Sequence, residues 1–77
     1  MDPIEDRVRR VVTEVFGLDP AQVTPQTTNE QVEQWDSLNI LNLLMAVEEE
    51  FGISLSPDEA GQLTSVAGIT WLVRSKQ

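Results

Sequence analysis

The sequence predicts an all-α fold: a small helical bundle of three main helices and one short helix, with a long loop between helices one and two. Apolar residues recur at helical spacing, and helix start and stop signals flank the periodic segments. No strand competes, because the alternation at Ile53-Ser54-Leu55 is only three residues long. A chain of 77 residues has room for one small core, so we expect residues 1–77 to form a single domain.

The first helix is predicted over residues 3–16. Asp2 is placed to cap its N-terminus, Pro3 occupies the first helical position, and Gly17 follows as a stop signal. Phe16 lies at the edge of the apolar stripe. The stripe itself has helical spacing and consists of Ile4, Val8, Val11, Val12 and Val15.

A long loop is predicted from Leu18 to Gln34. Pro20 and Pro25 interrupt this segment, and no helical or strand period is sustained in it. Loops of this length are uncommon in small domains and are often functional. We expect the loop to be held against the core by Leu18, Val23 and Val32.

The second helix is predicted from Ser37 to about Phe51, with Asp36 as its N-cap and Gly52 as its stop. One apolar stripe faces the core and consists of Ile40, Leu43, Leu44, Val47 and Phe51. A second stripe lies roughly 100–160° away on the helical wheel. We call this second stripe and its acidic flank the docking face, made of Leu38, Leu41, Met45, Glu48 and Glu49. Its apolar centre and acidic edge are typical of a transient interface, unless the preceding loop covers it.

Two more helices complete the prediction. Ser56, Pro57 and Glu59 form an N-terminal signature for a short third helix that ends near Gly61. The last helix begins near Ser65, and its core-facing residues are Val66, Ile69, Leu72 and Val73. Arg74 and Lys76 lie near its C-terminus, where the helix dipole favours positive charge. Trp71 lies off the inward stripe, and we expect it to pack against the loop.

The charge balance restricts the partners. Thirteen acidic against five basic side chains give a net charge of −8, which argues against binding to nucleic acid or to an anionic membrane and favours basic protein partners. No apolar run is long enough to span a bilayer, so we expect a cytoplasmic protein, acting as a monomer.

The missing residue types restrict the chemistry. The chain has no cysteine and no histidine, so it lacks a thiol nucleophile, a thiolate metal site and the commonest general base. We therefore expect no catalytic residues and no metal site. We do not expect an enzyme.

Ser37 is the candidate site for a covalent modification. It follows the predicted cap, in a turn where backbone N–H groups and the positive end of the helix dipole favour a negatively charged adduct. A nucleophilic role is weaker, because no histidine can activate the hydroxyl. A plain capping sequence at Asp36-Ser37 explains the same residues.

Three segments resemble the acyl carrier proteins of fatty acid and polyketide synthesis. Residues 35–38 (Trp-Asp-Ser-Leu) resemble the attachment motif of that family, residues 45–53 resemble the end of its second helix, and residues 64–66 resemble the start of its last helix. The resemblance implies that a phosphopantetheinyl transferase attaches 4′-phosphopantetheine from coenzyme A to Ser37, in the cofactor site of Asp36, Ser37 and Leu38.

The resemblance also implies the partners. The thiol of the prosthetic group would hold an acyl chain as a thioester, and the docking face would bind a loading ligase or transferase and then synthase or acyltransferase enzymes with basic patches. Carriers of this kind can shelter the acyl chain between helices. The candidate lining residues here are Ile40, Leu44, Val47 and Ile69, which also serve as core residues.

The chain departs from the family pattern at three positions. Asn39 and Asn42 replace residues that are typically acidic in carriers of primary fatty acid synthesis, and Trp35 replaces a small residue. These departures favour a specialised fatty acid, lipid or polyketide pathway. Two alternatives stay open: a peptidyl or aminoacyl carrier with the same modification, and an acidic adaptor that binds a basic partner without any modification.

Overall fold

The computed structural model describes residues 3–76 and confirms the all-α fold class. The four α-helices are α1 (Pro3–Phe16), α2 (Asn39–Phe51), α3 (Pro57–Ala60) and α4 (Val66–Lys76), and a 3-10 helix spans Pro20–Gln22. Over residues 3–76 the only β-type pairing is an isolated bridge between Thr28 and Ser65. None of the helices in this range is long and apolar enough to cross a membrane.

Helix α1 is the centre of the bundle and packs on both α2 and α4. Its predicted bounds are confirmed, and Gly17 ends it in the left-handed conformation with φ 64°. The predicted cap Asp2 lies outside the described residues. The predicted stripe is buried at Val8, Val11 and Val12 and half-buried at its two ends, and Phe16 joins the buried core.

Helix α2 begins two residues later than predicted, because Ser37 and Leu38 lie in the turn that precedes it. Gly52 terminates it as expected, in the left-handed conformation, with its N–H donated to the Glu48 carbonyl. The predicted inward stripe is only partly correct. Three of its members, Leu43, Val47 and Phe51, are buried, whereas Ile40 and Leu44 are half-buried at the edge of the core.

Side-chain contacts at both ends show that α1 and α2 run antiparallel. Near the start of α1, Arg7 donates from Nε to Glu50 Oε2 at 2.9 Å and from Nη2 to the Glu50 carbonyl at 2.7 Å, and its guanidinium lies 4.5 Å from the Phe51 ring centre. At the other end, Phe16 stacks on Trp35 with ring centres 5.2 Å apart. The end of α1, the start of α2 and the connecting loop therefore share one end of the bundle.

The long loop is anchored to the start of α4 as well as to the core. The N–H of Asn29 donates to the Thr64 carbonyl, and the N–H of Val66 donates to the Thr27 carbonyl. Val23 and Val32 are buried as predicted, while Leu18 is only half-buried. These bonds give the loop a defined path over the end of the bundle.

The short helix α3 is set by the predicted N-terminal signature. Ser56 and Glu59 form a reciprocal capping box, with each side chain accepting a hydrogen bond from the backbone N–H of the other residue. Glu59 also pairs with Lys76 at 2.8 Å, which ties α3 to the end of α4. The four predicted inward residues of α4 are all buried.

Candidate functional site

Ser37 is exposed at the end of the bundle where α2 begins. Over residues 3–76, its hydroxyl forms no hydrogen bond to another side chain or to the backbone. The oxygen is therefore open to solvent and to an incoming protein.

Asp36 caps the turn that carries Ser37. Its Oδ1 accepts hydrogen bonds from the N–H groups of Leu38 at 3.1 Å and Asn39 at 2.9 Å, and its carbonyl accepts from the N–H of Ile40 at 3.0 Å. This confirms the predicted cap but corrects the electrostatic argument. The carboxylate occupies two of the N–H groups that were expected to face a phosphoryl group.

Trp35 is buried and anchors the turn to the core, a role that the sequence did not lead us to predict. Its side chain is only 2% exposed, and its Nε1 donates to the Leu63 carbonyl at 2.8 Å while its ring packs on Phe16. The residue before Asp36 is thus fixed between α1 and the segment that precedes α4. The sequence feature that could have indicated this role is a tryptophan beside a polar motif, in a chain with few aromatic residues.

The apolar centre of the docking face is exposed. Leu38 is 79% exposed, Leu41 is 61% exposed and Met45 is 62% exposed. The alternative that the preceding loop covers this stripe is wrong. Three large apolar side chains on one face of a helix form a surface patch of the kind that other proteins bury on binding.

The acidic flank is narrower than the sequence suggested. Glu48 is half-buried and its Oε2 accepts a hydrogen bond from the Leu55 N–H at 2.8 Å, so it anchors the chain that follows α2. Glu49 is exposed. At the other end of the face, Asn39 donates from Nδ2 to the Gln34 carbonyl at 2.7 Å, and Asn42 donates to Asn39 Oδ1 at 3.3 Å.

The four candidate lining residues belong to a single apolar cluster. Ile40 and Leu44 are half-buried at its edge, whereas Val47 and Ile69 are fully buried in its interior. The prediction for Trp71 is wrong, because this side chain is 64% exposed instead of packed against the loop.

Comparisons with known proteins identify the family of the chain. Residues 6–71 match the family profile described as "Phosphopantetheine attachment site". A curated relative, the "Acyl carrier protein" of Buchnera aphidicola subsp. Baizongia pistaciae (strain Bp), is 34% identical over 74 residues, which cover 96% of this chain and 95% of the relative. The chain therefore belongs to the acyl carrier protein family, whose members carry a covalently attached 4′-phosphopantetheine group.

Proposed function

We propose that this protein carries acyl chains as thioesters on a 4′-phosphopantetheine arm attached to Ser37, and that it delivers them to biosynthetic enzymes. One observation carries the proposal. An exposed serine hydroxyl with no partner among residues 3–76 lies at the tip of α2, in a turn that Asp36 caps and Trp35 holds from behind. We take residues 1–77 as one carrier domain with this role.

The residues around Ser37 fit the prosthetic group. The chain has no cysteine, and the group supplies the thiol that a thioester requires. In the attachment step, the Ser37 oxygen would form a bond to the phosphorus of coenzyme A that carries the pantetheine part. The phosphoanhydride bond at that phosphorus would break with release of adenosine 3′,5′-bisphosphate, and the hydroxyl proton would pass to a base of the transferase. Asp36 holds the turn for this step, and Leu38, directly after the serine, offers an apolar contact to the transferase.

The docking face supports delivery to several enzymes in turn. Leu38, Leu41 and Met45 would each gain about 1.5–3 kcal/mol on full burial against a partner. Glu49 adds a negative charge that attracts a basic patch and speeds encounter. The expected partners are a phosphopantetheinyl transferase, a loading ligase or transferase, and synthase or acyltransferase enzymes.

The pathway and the shelter for the cargo are finer parts of the proposal. Neutral Asn39 and Asn42 near Ser37 support partners from a specialised fatty acid, lipid or polyketide pathway. Ile40 and Leu44 at the edge of the core would receive the acyl chain, and Val47 and Ile69 would contact its far end if the helices separate.

The attachment site is tested by mass spectrometry. The protein is incubated with coenzyme A, magnesium and a broad-specificity phosphopantetheinyl transferase. The wild type and the control Ser54→Ala should gain the mass of one phosphopantetheine, since Ser54 is an exposed serine away from the α2 tip. Ser37→Ala should gain nothing. An equal gain in Ser37→Ala would contradict the assignment.

The docking face is tested with a matched pair of substitutions. Leu41 and Trp71 are exposed to nearly the same extent, but only Leu41 lies on the docking face. Leu41→Ala should lower kcat/KM for modification by about tenfold, equal to about 1.4 kcal/mol, while Trp71→Ala should leave it within about twofold. Equal effects of the two substitutions would remove the support for this face.

A loading assay and a cell assay separate the proposal from the peptidyl carrier and from the unmodified adaptor. The modified protein is offered to acyl ligases and to amino acid adenylating enzymes, and the proposal expects acyl loading alone. If the protein is instead an unmodified adaptor, the Ser37→Ala variant should keep full activity in cells. If it is a carrier, the same variant should be inactive.

A further inference from the structure

A groove with a volume of about 610 Å³ is lined by residues of the loop between α1 and α2. We call it the loop groove. Val23, Thr27 and Val32 are its buried wall. Gln22, Gln31 and Gln34 line its exposed edge. Its volume lies within the range of small-molecule sites.

The wall of the loop groove is fixed by hydrogen bonds. Arg9 donates from Nε to the Val23 carbonyl at 2.9 Å. Thr27 Oγ1 accepts from the Thr24 N–H at 2.8 Å, and the Thr27 carbonyl accepts from the Val66 N–H at 3.0 Å. The groove is therefore preformed, and a ligand would not have to order the loop before binding.

The loop groove lies next to the attachment site. Gln34 is three residues before Ser37, so their Cα atoms are at most about 11 Å apart. The Asn39 side chain bonds to the Gln34 carbonyl at 2.7 Å and links the first turn of α2 to the groove edge. The pantetheine arm consists of pantoate, β-alanine and cysteamine units in series, and it is longer than this distance.

The lining selects an uncharged chain that alternates amide and apolar groups. Three glutamine side chains offer amide donors and acceptors, the half-buried Leu18 adds apolar surface, and Glu33 disfavours anionic ligands. The pantetheine part of the prosthetic group has this chemistry, since it carries two amides, a hydroxyl and a dimethyl carbon. We propose that the loop groove binds the pantetheine arm between visits to partner enzymes, an inference that rests on attachment at Ser37.

Nuclear magnetic resonance of the modified protein tests the inference. Nuclear Overhauser effects should connect the methylene groups of the β-alanine and cysteamine units of the arm to the methyl groups of Leu18 and Val32, which also line the groove. Gln22→Phe, which replaces an amide of the groove lining with a bulky ring, should abolish them and should raise the alkylation rate of the thiol roughly two- to fivefold. Gln26→Phe is the matched control, because Gln26 is an exposed loop glutamine outside the groove lining.

The outcomes separate this inference from the proposed function. Failure to modify Ser37 would overturn the proposed function and the inference with it. Modification at Ser37 without contacts to Leu18 and Val32, or with equal thiol reactivity in the wild type and Gln22→Phe, would overturn the inference alone. Circular dichroism of each variant confirms that the bundle is folded before the reactivities are compared.

Discussion

Trp35 connects the stability of the bundle to the position of the modified turn. In Trp35→Phe the stacking on Phe16 is largely kept, but the buried Leu63 carbonyl loses its donor. An unsatisfied buried carbonyl costs about 1–3 kcal/mol, and the lost ring atoms add about 1 kcal/mol. The variant should therefore lose about 2–4 kcal/mol, out of roughly 4–12 kcal/mol expected for a chain of 77 residues.

Urea unfolding followed by far-ultraviolet circular dichroism measures this loss. With a slope near 1 kcal/mol per molar urea, the midpoint should fall by about 2 M or more. Trp71→Phe makes the same chemical change at an exposed site and should stay within about 0.5 kcal/mol of the wild type. If the two variants unfold at the same urea concentration, the bond from Trp35 to Leu63 does not stabilise the fold as argued.

Three further predictions concern helix ends. The hydrogen bond from Arg7 lowers the pKa of Glu50 from its ordinary value of 4.5; burial opposes this shift and the charge of Arg10 adds to it. The Glu50 carboxylate therefore stabilises the fold above pH 4.5, and this contribution is lost as pH falls through the folded-state pKa. Glu50→Gln should unfold about 0.5–1 kcal/mol more easily at neutral pH, and urea midpoints should converge with the wild type in acid. Gly52→Ala should cost about 1–2 kcal/mol in urea unfolding, because φ is 64° there, whereas Gly61→Ala at φ −65° should not destabilise. Ser56→Ala removes half of a capping box and should lower the free energy of unfolding by about 0.5–2 kcal/mol, and an unchanged thermal midpoint would contradict that role.

Local signals predicted most of the helices correctly. The bounds of α1, the left-handed stop at Gly52 and the capping box of α3 each depend on residues within one or two turns of each other. The exposed stripe of α2 also followed from helical spacing, because the opposite face supplies enough apolar residues for the core. The proposed serine site depends on the same kind of local signal, a capping residue and its neighbour.

Contacts between distant segments could not be predicted in this way. The bond from Trp35 to Leu63 joins residues 28 positions apart, and the Arg7 and Arg10 pairs with Glu50 join helix ends that are distant in sequence. Glu48 was assigned to the docking face because the wheel cannot show that its carboxylate meets the Leu55 N–H. The loop groove depends on the path of a segment without any sequence period.

The ion pairs engage cations within the fold and leave excess negative charge on the surface. Arg7 and Arg10 share the Glu50 carboxylate, Arg9 lies near Asp6, and Lys76 pairs with Glu59, so these four cations are engaged within the chain. In the described range, the exposed carboxylates without such a cation include Glu33 and Asp36 before the tip of α2 and Glu49 towards its far end, with the uncharged Leu38, Leu41 and Met45 between them. Other exposed carboxylates without a cation lie elsewhere on the surface, at Glu14, Asp19, Glu30 and Asp58. Under the proposed function, a basic enzyme is attracted to both ends of this face, while its specificity depends on how it fits the apolar centre.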